Sequence, residues 1–396
     1  MPTLEFMTVT YSPDANLWLE KTLHQFGQKN HVTATSVQYS WEQMWRELVT
    51  VGIYRRGPDL ASVGTTWMES LASMNALRPF SKKEVAAIGG EAVFVPAAWK
   101  STSIGSGGQV WGIPFRADVR VIFYWKDMAE KAGVDPEKDF SSPEGLHKAL
   151  KALKSATKYP WATPTATGNH NVVYNVASWV WGRGGDFTTQ DGNAITFASP
   201  EAINGLCDFF RLREFMPVGA GLTEAQVQEM FARREIAAFI GGPWTLVNLQ
   251  NHPVGKEFLP SLGIALPPGP PFVGGTVLVI WEHSRMDHEA LELIRYLCTP
   301  DIQAQFNAHN GDLSVRVESW AETAQQSEHY QVLNKALLLG RPLPQIRLWG
   351  MIEEKLMIAL DQVWVALDEN PNADVEKTLK AELVPLADRL AYALTS

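Results

Sequence analysis

The first third of the chain alternates strand-like apolar runs with helical patterns, at intervals of about 25 to 30 residues. Such alternation is typical of βαβ units on a parallel sheet, so it predicts an α/β fold. An aromatic residue follows each run where the next helix should begin, and a later run ends in the same way. The runs are residues 4–10, 32–39, 60–63 and 236–240, and the aromatic residues are Tyr11, Trp41, Trp67 and Trp244.

The four aromatic residues are predicted to lie beyond the carboxyl ends of strands. Ligands of open α/β sheets bind at that edge, where the N-termini of helices also point. We therefore expect the rings to line one cleft, and flat apolar rings suit the C–H faces of sugars. Trp244 is the strongest candidate, because the glycines at 241–242 leave the backbone open to a ligand and Pro243 begins a helix. Tyr11 has an alternative role, which is to pack against the first helix.

The bulk composition is that of an ordinary globular protein. A chain of 396 residues is too long for a single compact core and favours two lobes. Hydrophobic residues make up 45% and charged residues 19%, which gives no sign of disorder. The formal net charge of −9 argues against a nucleic-acid partner, since a phosphate backbone attracts basic proteins. The 15 tryptophans support ring stacking as a mode of binding.

Sequence patterns of enzymes and metal sites are weak. The chain has no Gly-x-Ser-x-Gly, no His-Glu-x-x-His, no phosphate-binding loop and no Cys/His spacing of a metal site. The adjacent acids Glu353 and Glu354 would point apart on a helix, so they are poor partners for acid–base catalysis. We therefore expect no catalytic residues, no cofactor and no metal. Cys207 and Cys298 lie in apolar helical patterns and are predicted to be buried free thiols.

Targeting signals leave two interpretations open. No apolar run of about 18 residues is present, so no membrane-spanning helix is predicted. The first residues, MPTLE, lack the basic and apolar regions of a signal peptide. The protein is therefore either cytosolic or a mature chain that begins at a new methionine.

Segments spread over nearly the whole chain resemble the extracellular solute-binding proteins of family 1, which feed sugar ABC transporters and include maltose-binding protein. They occur in the family's order, which makes the pattern more specific than any single motif. The segments are 57–60 (GPDL) with Trp67, 111–115 (WGIPF), 124–127 (YWKD), 132–133 (AG), 191–192 (DG), 199–202 (SPEA), 238–244 (AFIGGPW), 272–275 (FVGG), Ser284, Pro300 with Gln303, and Pro344 with Trp349.

The resemblance implies a two-lobe fold of the type II periplasmic-binding-protein class, with a hinge that lets two α/β lobes close on a ligand. We expect the N-terminal lobe to hold residues 1–113 and 262–313, and the C-terminal lobe to hold residues 114–261 and 314–396. Residues 115–118 should lie between two strands and form part of a crossing between the lobes.

The resemblance also implies a function. We expect a mono- or oligosaccharide to bind in the cleft between the lobes and to be delivered to the permease subunits of an ABC importer. The protein should be a periplasmic or cell-surface monomer without catalytic activity. Two alternatives stay open, namely a glycoside-active enzyme with the same aromatic cleft, and a receptor for another polar solute such as a polyol, a polyamine or a glycerophosphodiester.

Two further ligand-binding residues are expected from family positions. Asp118 stands where the family often has an acid that accepts hydrogen bonds from sugar hydroxyls. Its alternative role is an ion pair with Arg116 or Arg120. Trp349 matches a family position that stacks on sugar, and its alternative role is to pack a helix.

Three more residues complete the predicted site. His170 and Asn171 end a polar loop before a helix, so they could either contact sugar hydroxyls or cap that helix. Gly275 belongs to the matching segment 272–275 and is included because of that match.

Overall fold

The structure is a computed structural model that describes residues 1–104, 108–168, 171–189, 191–218, 221–319, 327–346 and 348–395. Its strands are β1 (Thr3–Val9), β2 (Thr33–Tyr39), β3 (Leu60–Gly64), β4 (Leu77–Arg78), β5 (Ser103–Ile104), β6 (Gln109–Val110), β7 (Ile113–Val119), β8 (Val121–Trp125), β9 (Tyr159–Ala162), β10 (Ile236–Gly241), β11 (Leu262–Ala265) and β12 (Val273–Trp281). Its helices are α1 (Pro13–Asn30), α2 (Trp41–Tyr54), α3 (Met68–Ser73), α4 (Lys82–Ala87), α5 (Pro96–Lys100), α6 (Lys126–Ala132), α7 (Pro136–Asp139), α8 (Pro143–Leu153), α9 (Asn171–Gly182), α10 (Pro200–Arg211), α11 (Glu224–Ala232), α12 (Trp244–Asn251), α13 (Asp287–Leu297), α14 (Pro300–Asn310), α15 (Glu328–Leu339), α16 (Trp349–Glu369) and α17 (Val375–Thr395).

These elements form two compact units, and the predicted α/β class is confirmed. Unit 1 comprises Met1–Asp118, Val273–Ser327 and Gln345–Gly350. Unit 2 comprises Val119–Phe272, Glu328–Pro344 and Met351–Ser396. Each unit has its own sheet. The lobe boundaries expected from the family stay a prediction.

The sheet of unit 1 has the strand order β2-β1-β3-β12-β4, with β7 paired to β12. Strand β1 is parallel to both β2 and β3, whereas β12 runs antiparallel to β3. Phe6, Leu60 and Val279 are fully buried on these strands. Because β1, β2 and β3 are parallel, their carboxyl ends meet at one edge of the sheet.

Helix α1 shows how local sequence begins an element of this unit. Oγ of Ser12 accepts a hydrogen bond from the backbone N–H of Ala15 (3.2 Å), and Pro13 is suited to the first turn because it has no N–H to satisfy. Leu19 and Leu23 lie on the buried side of the helix. That side packs α1 against β2 and α14.

The sheet of unit 2 has the strand order β11-β8-β10-β9. Strand β10 is parallel to β9 and antiparallel to β8. The core beside it is aromatic, since Trp179 of α9 makes edge contacts with Trp161 (6.4 Å between centroids) and with Phe209 (5.0 Å). All three rings are buried, so they hold α9 and α10 against the sheet.

The four predicted strands are confirmed as β1, β2, β3 and β10, with ends that differ by at most one residue. The expectation that residues 115–118 separate two strands is wrong, because they lie inside β7 and that strand pairs with the distant β12. Cys207 and Cys298 are free and buried, as predicted. Within the described ranges, no helix combines the length and the apolar character that crossing a membrane requires.

Candidate functional site

Three of the predicted aromatic residues follow the parallel strands of unit 1. Tyr11, Trp41 and Trp67 come two or three residues after the ends of β1, β2 and β3. Trp41 is the first residue of α2, and Trp67 stands immediately before α3. Because parallel strands end at a common edge, the three residues belong to one edge of this sheet.

Trp41 and Trp67 form one aromatic cluster together with Trp45. The ring centroids of Trp41 and Trp67 lie 5.8 Å apart in an edge arrangement, and Trp45 lies 5.6 Å from Trp67. Trp41 is 40% exposed, whereas Trp67 is only 4% exposed. Within this cluster, the ring most exposed to solvent is therefore that of Trp41, and Trp67 supports it. Trp45 is half-buried, although its helical pattern in the sequence is typical of a core residue.

Tyr11 is held by partners inside unit 1. Its hydroxyl is hydrogen-bonded to Oγ1 of Thr8, and its ring meets Phe306 edge-on at 5.1 Å. The guanidinium of Arg116 lies over the same ring, 5.0 Å from the centroid. Burial raises the pKa of Tyr11 above its ordinary value, although the charge of Arg116 opposes that change. These contacts favour the packing role, and contact with a ligand stays a prediction.

Arg116 links the acids of unit 1 to the aromatic cluster. Its Nη1 donates to Oδ2 of Asp312, and its Nε donates to Oγ1 of Thr276 (3.2 Å). Arg116 and Asp312 are both at most 6% exposed, so they form a buried ion pair. Asp118 is half-buried on β7, and its charge acts on both members of the pair. The same guanidinium lies 5.9 Å from the ring of Trp41.

Gly275 lies where two strands of unit 1 approach closely. Its φ is +129°, a backbone conformation that L side chains rarely adopt. A Cβ at this position would lie 2.0 Å from the carbonyl oxygen of Arg116. The carbonyl of Gly275 accepts a hydrogen bond from the N–H of Thr65 (3.1 Å). Strand packing therefore requires this glycine, and its contact with a ligand stays a prediction.

Unit 2 carries a second aromatic surface, built around Arg120. The guanidinium lies 4.8, 5.5 and 5.7 Å from the ring centroids of Trp244, Tyr174 and Phe272. Tyr174 and Phe272 stack on each other at 4.6 Å with an angle of 9° between their planes. Arg120 is only 2% exposed, so the rings shelter its charge from water. Trp244, the first residue of α12, is half-buried.

Hydrogen bonds join this surface to Glu224, the first residue of α11. Nε1 of Trp244 donates to Oε1 of Glu224 (3.0 Å), and Nδ2 of Asn171 donates to Oε2. Oδ1 of Asn171 accepts a hydrogen bond from Nη2 of Arg120 (2.8 Å). The structure thus brings two predicted residues, Asn171 and Trp244, together on one surface of unit 2.

The glycines before Trp244 have a different role from the predicted one. A Cβ at Gly242 would lie 2.3 Å from the ring of Trp244 itself. A Cβ at Gly241 would lie 2.7 Å from the ring of Phe239. The prediction that these glycines open the backbone to a ligand is therefore corrected, because the protein's own rings fill the space that they leave.

Two predicted residues, Trp349 and His170, are not among the contacts described above. Trp349 begins α16 and is fully buried, and its backbone N–H donates to the carbonyl of Ile346 (2.9 Å). Full burial favours helix packing, and stacking on a ligand stays a prediction. His170 lies outside the described residues.

Sequence reasoning missed Arg120, Tyr174 and Glu224. Arg120 lies between two strands and Tyr174 lies within a helix, so neither carries a local pattern that indicates a site. Glu224 follows Thr223 at a helix start, a pattern that predicts only a cap. The usable signal for Glu224 is its position, since helix starts in α/β units lie at the edge where ligands bind.

Comparison with known proteins adds a family match and a shared fold. Residues 21–330 match the family described as bacterial extracellular solute-binding protein. The chain is 23% identical over 326 residues to the sn-glycerol-3-phosphate-binding periplasmic protein UgpB of Yersinia pestis bv. Antiqua (strain Antiqua), with 73% of this chain and 70% of that protein covered.

Two solved structures have the same fold over almost their whole length. An ABC transporter solute-binding protein from Thermotoga lettingae TMO, bound with alpha-D-tagatose, has a TM-score of 0.83 at 20% identity and covers 100% of both chains. The sugar-binding protein MalE from the phytopathogen Xanthomonas citri has a TM-score of 0.80 at 21% identity, with 99% of this chain and 97% of that chain covered. The predicted two-lobe periplasmic-binding-protein fold is thereby confirmed.

Proposed function

Because the chain belongs to the bacterial extracellular solute-binding protein family, we propose that it binds a carbohydrate and delivers it to the permease subunits of an ABC importer. The observation that carries the choice of a carbohydrate is the Trp41 ring, which is 40% exposed at the carboxyl edge of parallel strands. A rigid, exposed ring at that edge suits the apolar face of a sugar. The MalE protein of similar fold is itself described as sugar-binding.

The polar groups beside the rings suit hydroxyl recognition. On unit 1, the half-buried Asp118 offers carboxylate oxygens that can accept hydrogen bonds from two adjacent hydroxyls. On unit 2, the carboxylate of Glu224 accepts from the indole of Trp244 and from the amide of Asn171, which fixes polar groups beside an aromatic ring. Each surface therefore has what sugar binding needs, namely a flat ring and fixed hydrogen-bonding groups.

The charges favour a neutral ligand over a phosphorylated one. Arg116 donates to the carboxylate of Asp312, and Arg120 donates to Asn171 while three rings cover its guanidinium. Cations engaged in this way are poorly available for the strong contacts that a phosphate group requires. We therefore infer that this protein differs in ligand from its glycerol-phosphate-binding relative.

A thermal-shift screen tests the proposal. The probes are D-glucose, D-galactose, D-tagatose, maltose, D-mannitol and sn-glycerol-3-phosphate at 1 mM to 10 mM. We expect the Tm to rise with at least one of the sugars, since a ligand that binds only the folded state stabilises it, and to stay unchanged with the phosphate. A rise with D-mannitol alone, or with sn-glycerol-3-phosphate alone, would contradict the proposal.

Single-ring variants test the aromatic cluster of unit 1 and the aromatic surface of unit 2. Trp41→Ala and Trp244→Ala should each weaken binding of the sugar found in the screen by about 1 to 3 kcal/mol, the scale for loss of an aromatic anchor. Isothermal titration calorimetry measures the affinity. The control is Trp18→Ala, because Trp18 packs on Phe306 and lies outside both surfaces. If Trp41→Ala and Trp244→Ala both bind like the control, the rings have no part in binding.

We also propose that the protein is a monomer without catalytic activity that works in the periplasm or at the cell surface. Hydrolysis of a glycoside needs two carboxylates about 5 to 10 Å apart across the scissile bond. Chromatography of maltose after prolonged incubation should show no glucose. Release of glucose would favour the alternative of a glycoside-active enzyme.

A further inference from the structure

Glu224 is the point where the hydrogen bonds of the unit 2 surface converge. Its two carboxylate oxygens accept from three side chains, which are Trp244 (3.0 Å), Gln228 (3.2 Å) and Asn171. All three partners are donors at these contacts. A carboxylate suits this position because it accepts at both oxygens and donates at neither.

Glu224 belongs to a cyclic network of four side chains on this surface, each of which contacts two others. Asn171 bridges Glu224 and Arg120, since its Nδ2 donates to the carboxylate and its Oδ1 accepts from the guanidinium at 2.8 Å. The guanidinium of Arg120 lies 4.8 Å from the centroid of the Trp244 ring, and Nε1 of Trp244 donates to Glu224. Each member is thus fixed from two sides. The amide of Asn171 can satisfy both neighbours in one orientation only.

The start of helix α11 does not need the carboxylate of Glu224. Oγ1 of Thr223 accepts a hydrogen bond from the N–H of Gln226 (3.2 Å), and the side chain of Gln226 accepts one from the N–H of Thr223 (2.8 Å). This reciprocal pair is a complete capping box. The side chain of Glu224 is therefore available for its contacts with Trp244 and Asn171.

We propose that Glu224 is a positioning residue, which orients the ring of Trp244 and the amide of Asn171 for the ligand. This inference rests on the proposed carbohydrate-binding function. An orientation fixed before binding lowers the entropy that the ligand must otherwise remove. A fixed amide also favours one arrangement of hydroxyls over its epimer, because the wrong sugar leaves a buried group unpaired.

The first test is Glu224→Gln, which keeps the shape of the side chain. The new amide nitrogen is a donor that would face a donor of Asn171 or Trp244, so one contact must break. We expect the affinity for the best sugar of the screen to fall tenfold or more, about the scale of a lost hydrogen bond to a charged group. In the ligand-free protein, the indole N–H resonance of Trp244, assigned with Trp244→Phe, should shift upfield.

The second test restores the cyclic network by exchanging the amide and the carboxylate between positions 171 and 224. In Glu224→Gln/Asn171→Asp, the new carboxylate at 171 can accept from both Arg120 and the amide of residue 224. We expect the double variant to recover the indole resonance, which reports the contact of Trp244 with residue 224. Asn171→Asp alone should bind weakly, because it places two carboxylates side by side. The matched control is Glu229→Gln on the same helix, whose partners are Arg233 and His252; it should keep wild-type affinity.

The outcomes separate this inference from the proposed function. If the wild-type protein binds no sugar, the proposed function fails. If it binds one, and Glu224→Gln keeps both the affinity and the indole resonance, the positioning role is wrong. A double variant that folds but does not recover the indole resonance would also overturn it.

Discussion

Replacing Gly275 with alanine is expected to lower the free energy of unfolding by about 4 kcal/mol or more, as measured by urea denaturation. The added Cβ would lie 2.0 Å from the carbonyl oxygen of Arg116. That oxygen belongs to the backbone of β7, so it cannot move aside without shifting the strand. The φ of +129° at Gly275 adds strain for any L side chain.

The matched control is Gly90→Ala. Gly90 also has a positive φ, of +76°, but a Cβ there would meet nothing within 4 Å. Its cost should therefore be that of the backbone conformation alone, about 1 to 3 kcal/mol. Equal costs for the two variants would contradict the close approach of β12 to β7. A Gly275→Ala protein that kept its stability but lost sugar affinity would instead place Gly275 in the binding site.

The strands and the aromatic residues that follow them could be predicted because their signals are local. A short apolar run followed by Ser, by Ser-Pro or by Gly-Gly-Pro indicates where a strand ends and a helix begins. The helix predicted to begin near Trp41 does begin there, and the helix predicted to begin at Pro243 begins one residue later, at Trp244. The position of an aromatic residue along the chain is enough to place it at an edge of a sheet.

The partners of the polar residues could not be predicted, because they are distant in sequence. Arg116 pairs with Asp312, 196 positions away, and Glu224 bonds Asn171, 53 positions away. No spacing rule connects such pairs, and only the fold brings them together. The degree of exposure is equally nonlocal. Trp41 and Trp67 occupy similar places after strands, but only Trp41 is substantially exposed.

Glu69 is a buried acid close in sequence to the aromatic cluster. It lies two residues after Trp67 and is 8% exposed, and within the described part of the chain its Oε2 has no hydrogen-bond partner. Burial raises the pKa of Glu69 to about 7 from the ordinary 4.5. The folded state thus holds the proton more tightly than the unfolded state does. The corresponding stability is fully present below pH 4.5 and is lost as the pH rises through about 7.

Glu69→Gln should therefore raise the free energy of unfolding by about 3 kcal/mol at pH 8 and change it little at pH 4, since one unit of pKa difference corresponds to about 1.4 kcal/mol. Glutamine keeps the shape and cannot ionise, so the variant avoids burying a charge. Urea denaturation at both pH values measures the effect.

Burial also raises the pKa of Asp361, to about 6, and the comparison with wild type cancels that contribution. The control is Glu20→Gln at an exposed position, where neither pH should reveal a difference. If Glu69→Gln is no more stable than wild type at pH 8, the carboxylate is stabilised by a partner or by water, and its burial has no energetic cost.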